Sequence, residues 1–218
     1  MNENKDEQKI LDLIESEFKQ GIEKVREFNP SVTFYGSARL KEDHPYYIKV
    51  RDLAYRISKE LNYSVMSGGG GGIMEASNKG AYEAGGKSVG LTIKLPKEQE
   101  TNKYVTAEIP FHFFFSRQSA MSYETEVCIF CPGGFGTLNE LFEILTLEQT
   151  GKIGKIPLIL FGKDYWQPIE KIIEEVLLNK YGTINNEDIK LYTITDSEDE
   201  VLEIIKNSKI RDGRDALK

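Results

Sequence analysis

A glycine-rich stretch, Cys131-Pro132-Gly133-Gly134-Phe135-Gly136-Thr137, lies between a short apolar run and a segment with helical spacing. A strand, a glycine turn and a helix start form an anion site, because unpaired N–H groups and the positive end of the helix dipole point at one spot. The glycines let the backbone approach a ligand without Cβ atoms in the way. The stretch predicts a site for a phosphate-bearing ligand, with a tight turn that binds nothing as the alternative.

Two charged residues near this turn, Arg117 and Glu140, are the strongest candidates for chemistry. A planar, permanently charged guanidinium such as that of Arg117 suits oxyanions. Each residue also has a purely structural interpretation. Thr137 and Glu140 fit the S/T-x-x-E capping box, in which the glutamate bonds only the backbone of its own turn. Arg117 fits a solvated or ion-paired position on a helix.

A second turn contains five successive glycines, Gly68 to Gly72, followed by Ile73-Met74-Glu75-Ala76. Such a run cannot form a helix or strand interior, so it predicts a turn that the backbone presses against a ligand. It is not a P-loop, because no G-K-[ST] closes it, and it lacks the third glycine of the dinucleotide fingerprint. The sequence therefore disfavours an ATPase and an NAD enzyme.

Apolar runs alternate with helical patterns along the chain. Predicted strands cover 32–35, 63–66, 87–93, 104–115, 126–130, 156–161 and 192–195, and predicted helices cover 6–27, 45–61, 73–84, 116–124, 137–150, 165–180 and 197–207. Ser116 is the predicted N-cap of the fourth helix. Strands that are almost continuously apolar indicate an α/β fold, a Rossmann-like, doubly wound, mostly parallel sheet with helices on both faces.

Ligands of such sheets bind beyond the carboxyl ends of the strands, where the strand order reverses. Glycine turns follow three predicted strands, after Tyr35, Met66 and Cys131. All three turns are expected at that edge, and their convergence is a stronger signal than any one of them.

Composition limits the class of protein. A chain of 218 residues predicts one domain over 31–208, after an amphipathic helix in 1–30 and before a tail at 209–218. The net charge of −7 argues against a protein held mainly by nucleic-acid phosphates. A polar N-terminus and the lack of a long apolar run predict a cytoplasmic protein without membrane contact.

The cysteines and histidines give no metal signal. Cys128 and Cys131 lie three apart in an apolar strand, so they predict buried, inert thiols on opposite faces of the sheet. Two cysteines and two histidines, His44 and His112, do not form a zinc-type cluster.

The P-G-G-F-G-T-L-N-E motif, with Arg117 twenty-three positions before its glutamate, and the upstream G-G-G-G-I-M-E-A block resemble the LOG (Lonely Guy) family. The similarity covers about 32–166, and the bacterial branch is the nearest match. Members are cytokinin riboside 5′-monophosphate phosphoribohydrolases, often labelled possible lysine decarboxylases. The sequence shows no recognisable site for pyridoxal phosphate.

The resemblance implies a Rossmann-like homodimer that hydrolyses the N-glycosidic bond of a nucleoside 5′-monophosphate to free base and ribose 5-phosphate, without metal or cofactor. It makes Arg117 and Glu140 the catalytic pair. Gln118 departs from the family, which usually has lysine there. By the same resemblance, Gly133 to Thr137 match the phosphate-binding turn, and Glu98, in LPKEQ, matches a substrate-contacting glutamate. The full set of expected substrate-binding residues is Ser37, Gly68, Gly69, Gly70, Met74, Glu98, Gln118, Gly133, Gly134, Phe135, Gly136, Thr137, Leu138 and Asn139.

Two other functions are compatible with the same fold. Gln118 in place of lysine removes a positive charge, which motivates a nucleotide sensor that binds without turnover. A DNA-processing accessory protein is the third hypothesis, and the acidic balance of the chain argues against it.

Overall fold

The computed structural model describes residues 3–94 and 100–210 of the chain. Within them the strands are β1 Ser31–Tyr35, β2 Ser64–Ser67, β3 Ser88–Ile93, β4 Ala107–Phe111, β5 Val127–Phe130, β6 Leu158–Phe161 and β7 Tyr192–Thr195. The helices are α1 Glu3–Arg26, α2 Pro45–Leu61, α3 Ile73–Glu83, α4 Phe114–Tyr123, α5 Phe135–Gln149, α6 Lys163–Ile172 and α7 Glu198–Asn207. A π-helical segment, Ile173–Lys180, continues α6.

The seven strands form one parallel sheet in the order β4-β3-β2-β1-β5-β6-β7. The chain winds outward from β1 to β4, returns to the centre, and continues from β5 to β7. The order therefore reverses between β1 and β5, and their carboxyl ends frame the crevice in which such sheets bind ligands. The predicted α/β, Rossmann-like, doubly wound sheet is confirmed, with every strand parallel.

Two hydrophobic layers cover the sheet, one on each face. Helices α2, α3 and α7 pack on one face, and helices α1, α4, α5 and α6 contribute to the other. The short strands β1, β2, β5 and β6 are buried along their whole length because both faces are covered. Cys131 lies in the first layer and Cys128 in the second, as the spacing predicts. Burial raises the pKa of the Cys131 thiol, which suppresses its thiolate.

The apolar residues of the first helix are only partly buried. Its apolar residues Ile10, Leu11, Leu13 and Phe18 are 37–58% exposed, whereas Glu17 and Val25 are buried. The helix packs closely through Gly21, where a Cβ atom would lie 2.6 Å from the Phe111 ring.

The start of α4 also differs from the sequence prediction. The helix begins at Phe114, its N-cap is Phe113, and Ser116 is buried within the first turn instead of capping it. The hydroxyl of Ser116 donates to the carboxylate of Glu17 on α1. Ser116 as N-cap was therefore wrong, because a distant side chain supplies the acceptor.

None of the helices in residues 3–94 and 100–210 combines the length and the hydrophobicity that crossing a bilayer requires.

Candidate functional site

A cavity of about 1130 Å³ opens at the carboxyl edge of the sheet, across the point where the strand order reverses. Its walls come from the turns after β1, β2 and β5, with further residues from α4 and the start of α6. The three glycine turns that the sequence places at this edge thus line one cavity, as predicted.

The turn between β5 and α5 presents unpaired donors to the cavity. The N-cap of α5 is Gly134, no side chain caps it, and the first hydrogen bond inside the helix runs from the Leu138 N–H to the Gly134 carbonyl. The amides of Phe135, Gly136 and Thr137 therefore have no helical partner. A Cβ atom on residue Gly133 would lie 2.1 Å from Oγ1 of Thr137, so only glycine allows this tight turn. The turn has the form of an oxyanion cradle.

The turn after β2 forms the neighbouring wall. Gly72 has a φ of +65°, and a Cβ atom there would lie 2.2 Å from the carbonyl oxygen of Ser37, which joins this turn to the one after β1. The side chain of Asn102 donates to the carbonyl oxygens of Gly69 and Gly70 at 3.1 and 2.9 Å. These bonds fix a backbone that glycine alone would leave mobile.

Arg117 and Glu140 meet in this cavity. Nη2 of Arg117 lies 3.3 Å from Oε1 of Glu140, and the side chains are only 12% and 14% exposed. The capping-box alternative is wrong, because α5 begins at Phe135, two residues before Thr137, and Glu140 lies inside the helix. The geometry brings a carboxylate and a guanidinium together one turn from the free α5 amides.

The environment of Glu140 alters its acidity. Burial raises the pKa of its carboxyl to about 7; the Arg117 cation opposes the rise, and the Glu143 carboxylate adds to it. Such a value places a carboxyl near neutral pH, where it can exchange protons, and it is typical of functional sites.

Arg117 retains a hydrogen-bond donor that no described residue accepts from. Its Nε–H is buried and has no acceptor among the described residues, and its guanidinium lies 5.5 Å from the centre of the Phe114 ring. On its other side, a Cβ atom at Gly68 would lie 3.3 Å from Nη1 of Arg117, so the glycine leaves room for the guanidinium. The fork is held in place yet retains a donor for an incoming oxygen.

Most of the sequence-predicted site residues line this cavity. They are Ser37, Gly68, Gly69, Gly70, Met74, Arg117, Gly133, Gly134, Phe135, Gly136, Thr137, Leu138 and Glu140. Gln118 and Asn139 do not line it; the Gln118 amide donates to the side chain of Asn139 at 3.3 Å. Glu98 lies outside the described residues.

Sequence reasoning missed part of the lining, including Arg39, His44, Tyr46, Phe114, Asp164 and Tyr165. The hydroxyl of Tyr165 donates to the carbonyl of Gly133 at 2.7 Å and thereby supports the turn between β5 and α5 from α6. Asp164 and Tyr165 follow the buried strand β6, so their position at the carboxyl edge was the available signal.

No group of three or more His, Cys, Asp and Glu side chains arranged to hold a metal ion occurs within residues 3–94 and 100–210.

Curated relatives share the sequence pattern of this chain. Probable cytokinin riboside 5′-monophosphate phosphoribohydrolase LOGL2 of Oryza sativa subsp. japonica is 31% identical over 137 residues, covering 57% of this chain and 55% of the relative. Cytokinin riboside 5′-monophosphate phosphoribohydrolase LOG4 of Arabidopsis thaliana is 27% identical over 179 residues, covering 78% and 80%. The match spans less than two thirds of several of these relatives, from 55% to 64% of their length.

Solved structures share the fold. The crystal structure of TM1055 is 25% identical, with a TM-score of 0.59, and the match covers 81% of this chain and 98% of that one. The molybdenum cofactor carrier protein of Chlamydomonas reinhardtii is 20% identical, with a TM-score of 0.60 and coverage of 81% and 96%. The second likeness shows a common fold alone.

The family model described as possible lysine decarboxylase matches residues 74–205, which is more than half of the chain and includes both Arg117 and the glycine motif. With these relatives and this site together, the chain belongs to the LOG family, to which that older description is attached.

Proposed function

We propose that the protein is an N-glycosyl hydrolase that cleaves a nucleoside 5′-monophosphate, AMP or an N6-prenylated AMP, to free base and ribose 5-phosphate. The observation that carries this proposal is the Arg117–Glu140 pair, 3.3 Å apart in the cavity that the free α5 amides also line. The names of the relatives support the same reaction, since they describe phosphoribohydrolases of cytokinin riboside monophosphates.

The 5′-phosphate has a natural place on the α5 turn. The amides of Phe135, Gly136 and Thr137 and the positive end of the helix dipole together favour an oxyanion. A phosphate fixed there is remote from the bond that breaks, so its binding energy serves to orient the ribose. The ribose then extends toward Glu140, one turn further along α5.

Bond cleavage needs a stabilised cation and an activated water. Breaking a ribosyl C–N bond builds positive charge on the sugar ring, as in glycoside hydrolysis. In its ionised form, Glu140 stabilises that charge and accepts a proton from the attacking water, whose oxygen bonds to the anomeric carbon. The base leaves with the electron pair of the C–N bond and takes up a proton, so the water is divided between the ribose and the base. Arg117 holds the carboxylate at 3.3 Å and offers its remaining Nε–H to a ribose or phosphate oxygen. No step in this sequence requires a metal or a cofactor.

The experiment is incubation of the protein with AMP and with isopentenyl-AMP, followed by chromatography of the released base. Release of adenine or isopentenyladenine, together with ribose 5-phosphate, supports the proposal. Tight nucleotide binding by calorimetry without release would instead support the nucleotide sensor, and the absence of both would reject a nucleotide site.

The acidity of Glu140 gives a testable pH dependence. Because burial raises its pKa to about 7, the carboxylate forms only as the pH rises through that value. We expect kcat/KM for AMP to increase about tenfold per unit below pH 7 and to level off above it. The measurement is a pH–rate profile from pH 5 to 9. A rate already at its plateau at pH 5 would show that an ionised Glu140 does not limit the reaction.

We also propose that the protein forms a homodimer through α1. Its exposed apolar residues Ile10, Leu11, Leu13 and Phe18 lie on one helix, and such clusters on a folded chain mark protein contacts. We expect light scattering to give twice the chain mass and Leu11→Glu to shift it toward the monomer, whereas Lys19→Glu, at a polar exposed position of α1, should not. A monomeric wild-type protein at micromolar concentration would contradict the dimer.

A further inference from the structure

Helix α1 runs beside α4 and contacts it at both ends. Near the start of α4, Glu17 of α1 reaches the first turn. At the other end, the guanidinium of Arg26 forms two hydrogen bonds with Glu124, the residue that follows α4, at 2.9 and 3.0 Å. The helix that carries Arg117 is therefore held at its two ends by side chains of α1.

The carboxylate of Glu17 is buried and heavily bonded. It is 8% exposed and accepts hydrogen bonds from the backbone N–H groups of His112 and Phe113 and from the hydroxyl of Ser116 at 3.1 Å. Nδ1 of the His112 ring lies 3.1 Å from Oε1 of Glu17. The amino group of Lys94 contacts Nε2 of the same ring. A carboxylate with this many partners is fixed in one position.

The contacts of Glu17 are those of an N-terminal helix cap, but the capping side chain belongs to α1 and not to α4 itself. In a capping box, a glutamate at the third helical position reaches back to the N-cap amide. Here that third position is Ser116, the N-cap Phe113 has no side-chain acceptor, and Glu17 bonds both. The negative charge also lies at the positive end of the α4 dipole.

Arg117 follows Ser116 directly, in the turn that Glu17 holds. Its own N–H closes the first turn by donating to the carbonyl of Phe113 at 3.2 Å. Its side chain then reaches Glu140 on α5. A first turn without Glu17 would have no acceptor for the Phe113 amide, and helix ends without caps fray.

We propose that Glu17 is a positioning residue for Arg117: it fixes the first turn of α4 so that the guanidinium faces Glu140 and the substrate. This inference rests on the proposed hydrolase function. Glu17 lies in α1, outside the matched family region at 74–205.

If Glu17 positions Arg117, the loss of Glu17 should change the pH dependence of the reaction as well as the stability of the protein. Among the residues that the structure describes, the charged and titratable groups that interact with Glu140 are Arg117 on α4, Glu143 on its own helix and Tyr35 on β1. Of these, only Arg117 lowers the pKa of Glu140. If the first turn of α4 loosens, the cation moves away and the acid limb of the rate profile moves to higher pH. A purely structural contact would leave the profile of the folded enzyme unchanged.

The experiment compares Glu17→Ala and Glu17→Gln with two controls. Glu15→Ala removes an exposed carboxylate from the same helix, and Ile205→Ala destabilises the core on the opposite face of the sheet. We expect Glu17→Ala to lower kcat for AMP about tenfold or more, with its acid limb shifted upward, and Glu17→Gln to recover part of the loss through its amide oxygen. Both controls should keep the wild-type kcat and profile when assayed well below their melting temperatures.

A crystal structure of Glu17→Ala tests the same point without substrate. We expect the first turn of α4 to open and the 3.3 Å contact between Arg117 and Glu140 to be lost. An unchanged contact would overturn the inference, as would a Glu17→Ala enzyme with wild-type kcat and pH profile. A wild-type protein that releases no base refutes the hydrolase proposal separately, and the structural comparison still decides the role of Glu17.

Discussion

Replacing Glu140 with glutamine is expected to lower kcat for base release from AMP by about 100- to 10,000-fold, the usual contribution of a positioned acid–base group. Glutamine has nearly the same shape and accepts a hydrogen bond from Arg117, but it carries no charge and takes up no proton from water. The loss should therefore fall on kcat, while the affinity for AMP by calorimetry changes only severalfold. Glu203→Gln, at an exposed position of α7, serves as the control and should be fully active.

The stability of this variant separates catalysis from folding. Glu140 has a pKa raised above that of an unfolded chain, so its contribution to stability is complete at low pH and is lost as the pH rises through about 7. At pH 8 the buried charge opposes folding, and Glu140→Gln should melt at the same temperature as wild type or higher. If Glu140→Gln is inactive and also melts below the wild type at pH 8, the lost activity does not support a catalytic role for Glu140. A fully active Glu140→Gln would contradict that role.

Arg117→Ala is expected to reduce kcat/KM for AMP by about 30-fold or more. Removing one partner of a buried, hydrogen-bonded charge pair costs about 2–5 kcal/mol, and each 1.4 kcal/mol corresponds to a factor of ten. The substitution also removes the cation that lowers the pKa of Glu140, so the acid limb of the rate profile should move above pH 7. Arg117→Lys should recover only part of the rate, because a lysine lacks the planar fork.

Kinetics and a matched arginine check this prediction. Arg51→Ala removes a guanidinium that pairs with Asp52 on the surface of α2, away from the cavity, and should leave kcat/KM within about twofold. If Arg117→Ala keeps the wild-type rate and acid limb, the pair seen at 3.3 Å has no part in the reaction.

The parallel sheet and its ligand edge could be predicted from sequence because both depend on local pattern. Buried parallel strands are apolar throughout, and glycine turns after them mark the carboxyl edge. The convergence of the turns after β1, β2 and β5 on one cavity follows from these two facts. The Arg117–Glu140 contact, by contrast, joins residues twenty-three positions apart on two helices. Their charges near the turn make each a candidate, but only the resemblance to a family makes them a pair.

The failures arose where tertiary contacts replace local signals. Ser116 fits an N-cap by type, but Glu17, ninety-nine positions earlier, supplies the acceptor and the helix starts at Phe114. Thr137 and Glu140 fit a capping box, yet the N-cap of α5 is Gly134 and no side chain caps the helix. Gln118 follows Arg117 directly and bonds Asn139, so its part in substrate binding stays a prediction. The pattern of a single sequence does not show which residues, distant along the chain, form these contacts.

The most direct test of the central claim is a crystal structure of Glu140→Gln with AMP bound. We expect phosphate oxygens at roughly 3 Å, ordinary hydrogen-bond distance, from the amides of Phe135, Gly136 and Thr137. We also expect the anomeric carbon of the ribose beside residue 140, with Arg117 on a ribose or phosphate oxygen. A phosphate bound elsewhere, or a ribose directed away from α5, would contradict the proposed hydrolysis at this site.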